Sequence, residues 1–213
     1  EWVIEDRFAA ARPDWPGVHW VDDVAPHEMR KLRMLNGAHS YLAYAGTLKG
    51  HTFVHEAVAD PDLRQTARRL MQEAAETLPP EIQSQAESYA ADLIERFENP
   101  NLHHRLRQIA MDGSQKMPIR VVGTLKDRGG DGDALKAAID AWATFVQTDV
   151  WSGRVIDDPL AGHSPNARAS APFHQPTSLI TSDEPWSTWS MQRTWTRMPS
   201  VHPLGCAFPD DQT

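Results

Sequence analysis

The stretch KLRMLNGAH, residues 31–39, decides how the rest of the sequence is interpreted. It lies inside a longer run, 26–49, in which apolar residues recur at three- and four-residue steps, as on one face of an amphipathic helix. Pro26 suits the first turn of such a helix, and Glu28 suits the positive end of the helix dipole. Gly50 is a common kind of helix end. The pattern therefore predicts one long helix over 26–49.

Three side chains of this helix form a candidate catalytic group. At 100° per residue, Asn36 lies about 140° from Lys31 and His39 about 80°, so an amine, an amide and an imidazole share one side of the helix. Interconversion of an alcohol and a carbonyl needs a base for the hydroxyl proton and donors for the oxygen. A lysine can be that base if burial or a nearby positive charge lowers its pKa from about 10.4 to about 7–8. Arg33 lies about 200° round the helix and is not such a charge.

The spacing alone leaves an ordinary structural interpretation open. A lysine on a helix is usually solvated, and an asparagine with a histidine usually makes local hydrogen bonds. The sequence around the three residues therefore has to decide between the two interpretations.

Periodicity elsewhere predicts a mainly α, multi-helical domain with at most a short strand or hairpin near the N-terminus. The segment 18–23 alternates enough to be that strand. The predicted helices, besides 26–49, are 51–59, 61–78, 81–97, 101–111, 115–126 and 134–149. The domain is expected to cover residues 1–160.

The remaining stretch, 161–213, is rich in Pro, Ser and Trp and follows neither a helical nor a strand period. We expect an irregular tail, since such composition rarely forms packed elements. It is either an out-of-frame or chimeric end or a variable, poorly ordered extension, and the sequence does not choose between them.

Several blocks of the chain resemble the C-terminal half of the mannitol dehydrogenase family, the polyol-specific long-chain dehydrogenases and reductases that include fructuronate reductase-like enzymes. These blocks are EWVIEDRFA (1–9), VDDVAPHEMRKLRMLNGAHS (21–40), LIERFENPNLHHRL (93–106) and QIAMDGSQKMPIR (108–120). The resemblance implies a helical domain like the C-terminal domain of 6-phosphogluconate dehydrogenase. It also implies that Lys31 is the general acid/base and that Asn36 and His39 hold the reactive oxygen.

The same resemblance implies two substrate-binding residues, Lys116 and Gln108. Lys116 is expected near the far end of the substrate, although a solvated lysine at a helix corner is the ordinary alternative. Some mannitol-acting members of the family have an arginine where this chain has Gln108, which leaves a sugar-acid substrate open. The expected substrates are a polyol, a ketose or a keto-sugar acid such as fructuronate or tagaturonate.

The resemblance implies NAD or NADP as cofactor and no metal. No GxGxxG follows a predicted strand, so no cofactor-binding residue is predicted in this chain. The family's nucleotide-binding domain is expected N-terminal to this part and absent from it, and the present domain is expected to pack on it. His51 and His55 have i, i+4 spacing but no third ligand, so a metal site is not predicted.

Composition limits the other classes of function. The chain has 213 residues and a net charge of −8, which argues against nucleic acid and anionic membranes as partners. One cysteine and no long apolar run predict a cytoplasmic protein. The alternatives kept open are a non-catalytic helical interaction domain and a DNA-binding regulatory domain, the latter disfavoured by the acidic balance.

Overall fold

The structure, a computed structural model, describes residues 2–7, 9 and 11–161 of the chain. Apart from Ala161, the predicted irregular tail lies outside the described residues. Within them the fold is mainly helical, as predicted, with one small sheet near the N-terminus. None of the helices in these ranges combines the length and hydropathy that a membrane crossing requires.

The sheet has two strands, β1 (Trp2–Glu5) and β2 (Val18–Val21). The strands run parallel, with Trp2 opposite Val18 and Glu5 opposite Val21, so the pair is not a hairpin. Residues 6–17 connect them, and a connection of this length is what parallel pairing needs. The sequence predicted the second strand and not the first, because WVIE shows no clean alternation.

The predicted helix 26–49 is one continuous helix in three parts: α1 (Ala25–Arg30), a first π segment (Lys31–Asn36) and α2 (Gly37–Leu48). The Asp23 carboxylate accepts a hydrogen bond from the Ala25 N–H at 2.9 Å, which forms a local turn just before the helix, while the N-cap residue Val24 makes no side-chain cap bond. The predicted helix is therefore present, and its middle is wound more loosely than an α-helix.

The next helices are α3 (Val54–Ala59), α4 (Pro61–Ala75), α5 (Pro80–Gln83) and α6 (Ala86–Glu98). A short 3-10 helix (Pro100–Leu102) precedes α7 (Leu106–Ala110). A second broken helix follows, formed by α8 (Gly113–Met117), a second π segment (Pro118–Val122) and α9 (Gly123–Asp127). The last described helix is α10 (Asp133–Trp151).

Helix α2 is the centre of the packed domain. It contacts α10, α7, α4 and α3, and its side chains Ala38, Leu42 and Tyr44 are fully buried. A helix surrounded in this way has little freedom to move. The residues that precede and open α2 are therefore held in a fixed place, which is what a site for chemistry requires.

Candidate active site

The two π segments pack against each other and frame the candidate site. Lys31 is the first residue of the first π segment and Asn36 is the last. In π winding the hydrogen bonds join residues five apart and each turn holds more residues than an α-turn, so residues i and i+5 are separated by a smaller angle than in an α-helix. Lys31 and Asn36 are such a pair. The angle between them is therefore smaller than the roughly 140° that regular α-winding predicts, and the two side chains leave the helix in closer directions.

The exposure of the three predicted catalytic residues increases towards the start of the helix. His39 and Asn36 are half-buried and Lys31 is exposed. Among the described residues, the Lys31 ammonium has no ion pair or hydrogen bond. The burial that a lysine base requires is therefore not supplied by this part of the chain.

His39 sits in a largely apolar and positively charged environment. Its ring stacks on Phe97, with centroids 4.6 Å apart and planes at 19°, and it meets His104 edge-on at 5.9 Å. Burial lowers the pKa of His39 to about 4, and the positive charges of His104, Arg120 and Arg96 contribute. At neutral pH the imidazole is therefore uncharged.

The Nε2 atom of His39 is buried and has no hydrogen-bond partner within the described part of the chain. An orphaned buried nitrogen costs free energy, and most buried polar atoms in folded proteins are paired. A neutral imidazole with a free nitrogen can still bind a substrate oxygen. The arrangement fits the predicted role of His39 at the reactive oxygen.

Gly37 allows the second π segment to approach the first closely. A Cβ on Gly37 would lie 3.4 Å from the Arg120 carbonyl oxygen and 3.2 Å from Leu70 Cδ2. Nearby, Arg120 Nη1 donates to Ser40 Oγ at 3.2 Å. The second π segment is thereby fixed beside Asn36 and His39, the neighbours in sequence of Gly37 and Ser40.

The sequence did not single out Arg120. Its guanidinium is half-buried, and its buried Nε has no partner among the described residues. Burial lowers the pKa of Arg120, and the nearby Tyr44 opposes this shift. An isolated arginine on a helix has no signature in sequence, and only the packing of the two π segments shows where it lies.

The two predicted substrate-binding residues lie on the neighbouring segment, around α7 and α8. Lys116 is half-buried; its Nζ donates to the Ile109 carbonyl oxygen at 3.4 Å and lies 3.6 Å from an Asp112 carboxylate oxygen. Gln108 is exposed and lines a cavity of about 290 Å³. That cavity includes none of Lys31, Asn36, His39 and Lys116. The described residues do not bring Gln108 together with the catalytic group in one cavity.

A buried carboxylate, Asp149, anchors the wall of this cavity. Arg107 donates to it through Nη1 at 2.7 Å and Nη2 at 3.1 Å, and Arg154 Nε donates at 2.7 Å. Burial alone raises the pKa of Asp149, but the hydrogen bonds and charges of the two arginines outweigh burial and lower it. The pairing of Asp149 with Arg107 could not be predicted from sequence, because the two residues lie 42 positions apart.

A second carboxylate ties the end of the domain to the helix that carries Lys116. The Asp158 side chain accepts hydrogen bonds from the Ser114 N–H at 2.7 Å and from Ser114 Oγ. The Asp112 N–H also donates to the Asp157 carbonyl oxygen at 2.9 Å. These bonds fix the turn at 112–114 and with it the direction of α8.

The described residues offer no group of three or more His, Cys, Asp or Glu side chains that could hold a metal ion. His51 Nε2 lies 3.8 Å from an Asp60 carboxylate oxygen, while His55 stacks on Phe53. The residues that the structure describes also do not fit a dinucleotide cofactor. The sheet has no glycine-rich turn leading to a helix, and the glycines of the 128–132 loop follow α9, not a strand.

The described residues thus form a helical domain built on one central helix, with an amine, an amide and a neutral imidazole at its opening. A model of the mannitol dehydrogenase C-terminal domain matches residues 23–195. The chain therefore belongs to the mannitol dehydrogenase family and contains its C-terminal domain.

Known proteins agree with this assignment. The chain is 45% identical to D-mannonate oxidoreductase of Escherichia coli (strain K12) over 168 residues, which cover 75% of the chain and 35% of that protein. It is 34% identical to mannitol 2-dehydrogenase of Aspergillus fumigatus over 191 residues, covering 84% and 38%. A solved structure, Pseudomonas fluorescens mannitol 2-dehydrogenase in a ternary complex with NAD and D-mannitol, matches with a TM-score of 0.65 and 35% identity, covering 76% of this chain and 34% of that one.

The chain thus spans about a third of the length of the relatives that it matches. These relatives are oxidoreductases by name. What the whole protein does is therefore a proposal.

Proposed function

We propose that this chain is the substrate-binding and acid/base part of a zinc-independent, NAD(P)-dependent oxidoreductase. The reaction interconverts a mannitol-like polyol and a ketose, or a sugar acid and its keto form. The observation that supports the proposal is that Lys31, Asn36 and His39 lie on one helix, with Lys31 and Asn36 at the two ends of a π segment that reduces the angle between them. A cytoplasmic location belongs to the same proposal.

The chemistry assigned to this chain is the movement of a proton at the substrate oxygen. In the oxidative direction, Lys31 Nζ takes the hydroxyl proton as the carbonyl forms, and in the reductive direction it returns the proton. The Asn36 amide and the His39 imidazole donate hydrogen bonds to the oxygen as negative charge develops there. Because His39 is uncharged, it can make this bond without repelling a protonated Lys31. A nicotinamide cofactor, bound outside the described residues, would supply the hydride chemistry.

Residues outside the described ranges are proposed to complete the site. Lys31 is exposed here, and a lysine acts as a base near neutral pH only when burial or a nearby cation lowers its pKa. We propose that the N-terminal nucleotide-binding domain of the whole protein covers Lys31 and supplies this burial. Lys116 and Gln108 are proposed to contact the far end of the substrate.

The test is a chimeric protein in which this chain is joined to the remaining part of a relative. In a chimera, the chain replaces the matching third of Escherichia coli D-mannonate oxidoreductase. The oxidation of NADH and NADPH is followed with ketoses and keto-sugar acids as substrates. The reduction of NAD and NADP is followed with polyols and sugar acids. We expect turnover, and we expect Lys31→Ala to lower kcat by about 10²- to 10⁴-fold. Lys126→Ala, which removes an exposed lysine on α9, is the matched control and should change kcat less than about twofold.

A chimera that folds and binds NADH but turns over nothing would contradict the proposal. The non-catalytic interaction domain would then be the better interpretation, since the same fold can persist without the chemistry.

A further inference from the structure

Arg120 differs from the other half-buried arginines of the domain in having no carboxylate partner among the described residues. The half-buried Arg33, Arg64 and Arg128 pair with Asp127, Glu98 and Glu76. The buried Arg30 also has no carboxylate partner among the described residues, but it donates to Gln85 and its guanidinium lies over the Tyr89 ring. The Arg120 guanidinium donates to the neutral hydroxyl of Ser40, and its buried Nε has no partner within the described ranges. A charge that is partly removed from water without a counter-ion costs free energy. Arg120 is therefore a partly buried cation without a counter-ion among the described residues.

The position of Arg120 ties this cation to the candidate active site. Its side chain bonds Ser40, which follows His39, and its carbonyl oxygen lies 3.4 Å from the position of a Cβ on Gly37, which follows Asn36. Its charge also acts on His39, whose ring is close enough for that charge to disfavour protonation. The unpaired cation thus lies beside two of the three residues that are proposed to bind the reactive oxygen.

The free donors of Arg120 match a carboxylate. One guanidinium nitrogen, Nη1, is used by Ser40, which leaves donors on Nε and Nη2. Two parallel N–H donors on one edge of a guanidinium are the usual partners of the two carboxylate oxygens. A hydroxyl group of a neutral polyol could accept one of these bonds but could not neutralise the charge.

We propose that Arg120 is a specificity-determining residue that binds the carboxylate of a sugar-acid substrate in this site. The inference rests on the proposed function and narrows its substrate class from polyols in general to sugar acids and their keto forms. A hexonate and the corresponding hexitol differ at one end of the molecule, where the carboxylate replaces a hydroxymethyl group. Arg120 therefore discriminates between two substrates that Lys31, Asn36 and His39 treat alike.

A purely structural role for Arg120 is the alternative that the experiment has to separate. If Arg120 only linked the second π segment to α2 through its hydrogen bond to Ser40, its loss would disturb the site equally for every substrate. As a carboxylate-binding residue, Arg120 acts on the acid and not on the neutral polyol. The ratio of the two Michaelis constants distinguishes these roles, because a general disturbance cancels in the ratio.

The experiment measures KM and kcat for D-mannonate and D-mannitol in the chimera described above, with the full chain in place. Arg120→Gln is expected to raise KM for D-mannonate by about 10- to 100-fold, the range for loss of hydrogen bonds to a charged group, and to change KM for D-mannitol less than about threefold. Arg120→Lys keeps the charge without the two-pronged geometry and should fall between wild type and Arg120→Gln. Arg128→Gln, which removes a half-buried arginine bonded to Glu76 and the Glu73 carbonyl, is the control and should leave the ratio unchanged.

The possible results separate the two proposals. Equal changes for both substrates in Arg120→Gln, or an unchanged KM for D-mannonate, would overturn the role of Arg120. A wild-type chimera that oxidises D-mannitol and not D-mannonate would overturn it as well, and would leave the proposed function standing. A folded wild-type chimera that turns over neither substrate would contradict the proposed function itself. If Arg120→Gln does not fold, the KM ratio of Arg120→Lys decides the question in the same way.

Discussion

At the scale of single residues, the neutral state of His39 has a consequence for stability as well as for chemistry. The pKa of His39 in the folded chain, about 4, lies below the ordinary value of 6.5. As the pH falls, the unfolded chain therefore takes up this proton before the folded chain does. The contribution of His39 to the free energy of unfolding is fully present above about pH 6.5 and is lost between about pH 6.5 and pH 4.

We predict that His39→Gln removes part of the acid destabilisation of the chain. The difference in unfolding free energy between wild type and His39→Gln should shrink between pH 7.5 and pH 4, by at most about 3 kcal/mol. Urea unfolding of the 213-residue chain at a series of pH values, followed by tryptophan fluorescence, measures this difference. His55→Gln, which replaces a histidine stacked on Phe53, is the control. A difference for His39→Gln that does not change with pH would show that His39 titrates normally.

The identity of the site residues and their environment differ in how far sequence reveals them. Lys31, Asn36 and His39 are found through the resemblance of KLRMLNGAH to a family signature, and their roles stay predictions. The free Nε2 of His39 and the unpaired guanidinium of Arg120 depend on contacts between distant segments. A sequence pattern indicates which residues lie on the same face of a helix, but it does not show which charged side chains lack a partner in the fold.

At the scale of elements, the helical period located the helices, and tertiary hydrogen bonds decided several of their ends. The predicted helix 101–111 is interrupted, and α7 begins only at Leu106. Phe53 and Arg105 form an antiparallel bridge, and the Leu106 N–H donates to the Thr52 carbonyl oxygen at 3.0 Å. These bonds hold both segments extended. They also explain why α3 begins at Val54 rather than at residue 51, since local propensity cannot show a bond between segments so far apart.

The π segments could not be predicted from periodicity. A π segment changes the angle between successive side chains over only one or two turns, and the apolar residues on either side keep an α-helical spacing. In the first π segment this changes the relation between Lys31 and Asn36, which is where a small change of angle has the greatest effect. The second π segment contains Arg120, and its winding is equally invisible to periodicity.

The bond network of Asp149 gives a prediction about element packing. Asp149 is buried on α10 and holds Arg107 of α7, so Asp149→Asn should lower the free energy of unfolding by about 2 kcal/mol. Asp140→Asn, an exposed position on the same helix, should change it by less than about 0.5 kcal/mol. Denaturant unfolding of the three proteins measures both effects. Equal stabilities of the two variants would show that the network contributes nothing.

At the scale of the whole molecule, the chain matches the C-terminal domain of the family and only part of the length of its relatives. It covers about a third of the relatives that it matches, and no dinucleotide site forms within its described residues. The mainly helical fold and the family could be predicted from sequence, because several blocks in the right order are much more specific than a triplet of residues. The substrate class could not be predicted from sequence, because the roles proposed for Gln108 and Arg120 depend on the residues that surround them in the fold.

We predict that the 213-residue chain alone has no dehydrogenase activity. Lys31 is exposed, and the described residues form no glycine-rich turn between a strand and a helix that would hold a dinucleotide, so we expect neither a competent base nor a bound hydride acceptor. The absorbance of NADH at high protein concentration, with D-mannitol, D-mannonate and their keto forms, is the measurement. Turnover by the isolated chain that Lys31→Ala abolishes would contradict this prediction.

The central claim, that Lys31 moves the proton, is tested most directly by chemical rescue of Lys31→Ala in the chimera. The initial rate of D-mannonate and D-mannitol oxidation is measured at fixed pH with small primary amines of different pKa. We expect the added amine to restore part of the lost rate. The restored rate should rise with the concentration of the amine and should depend on the pKa of the amine, as general base catalysis requires. A folded variant that binds substrate and NAD but gains no rate from any amine would contradict the role of Lys31 as the acid/base.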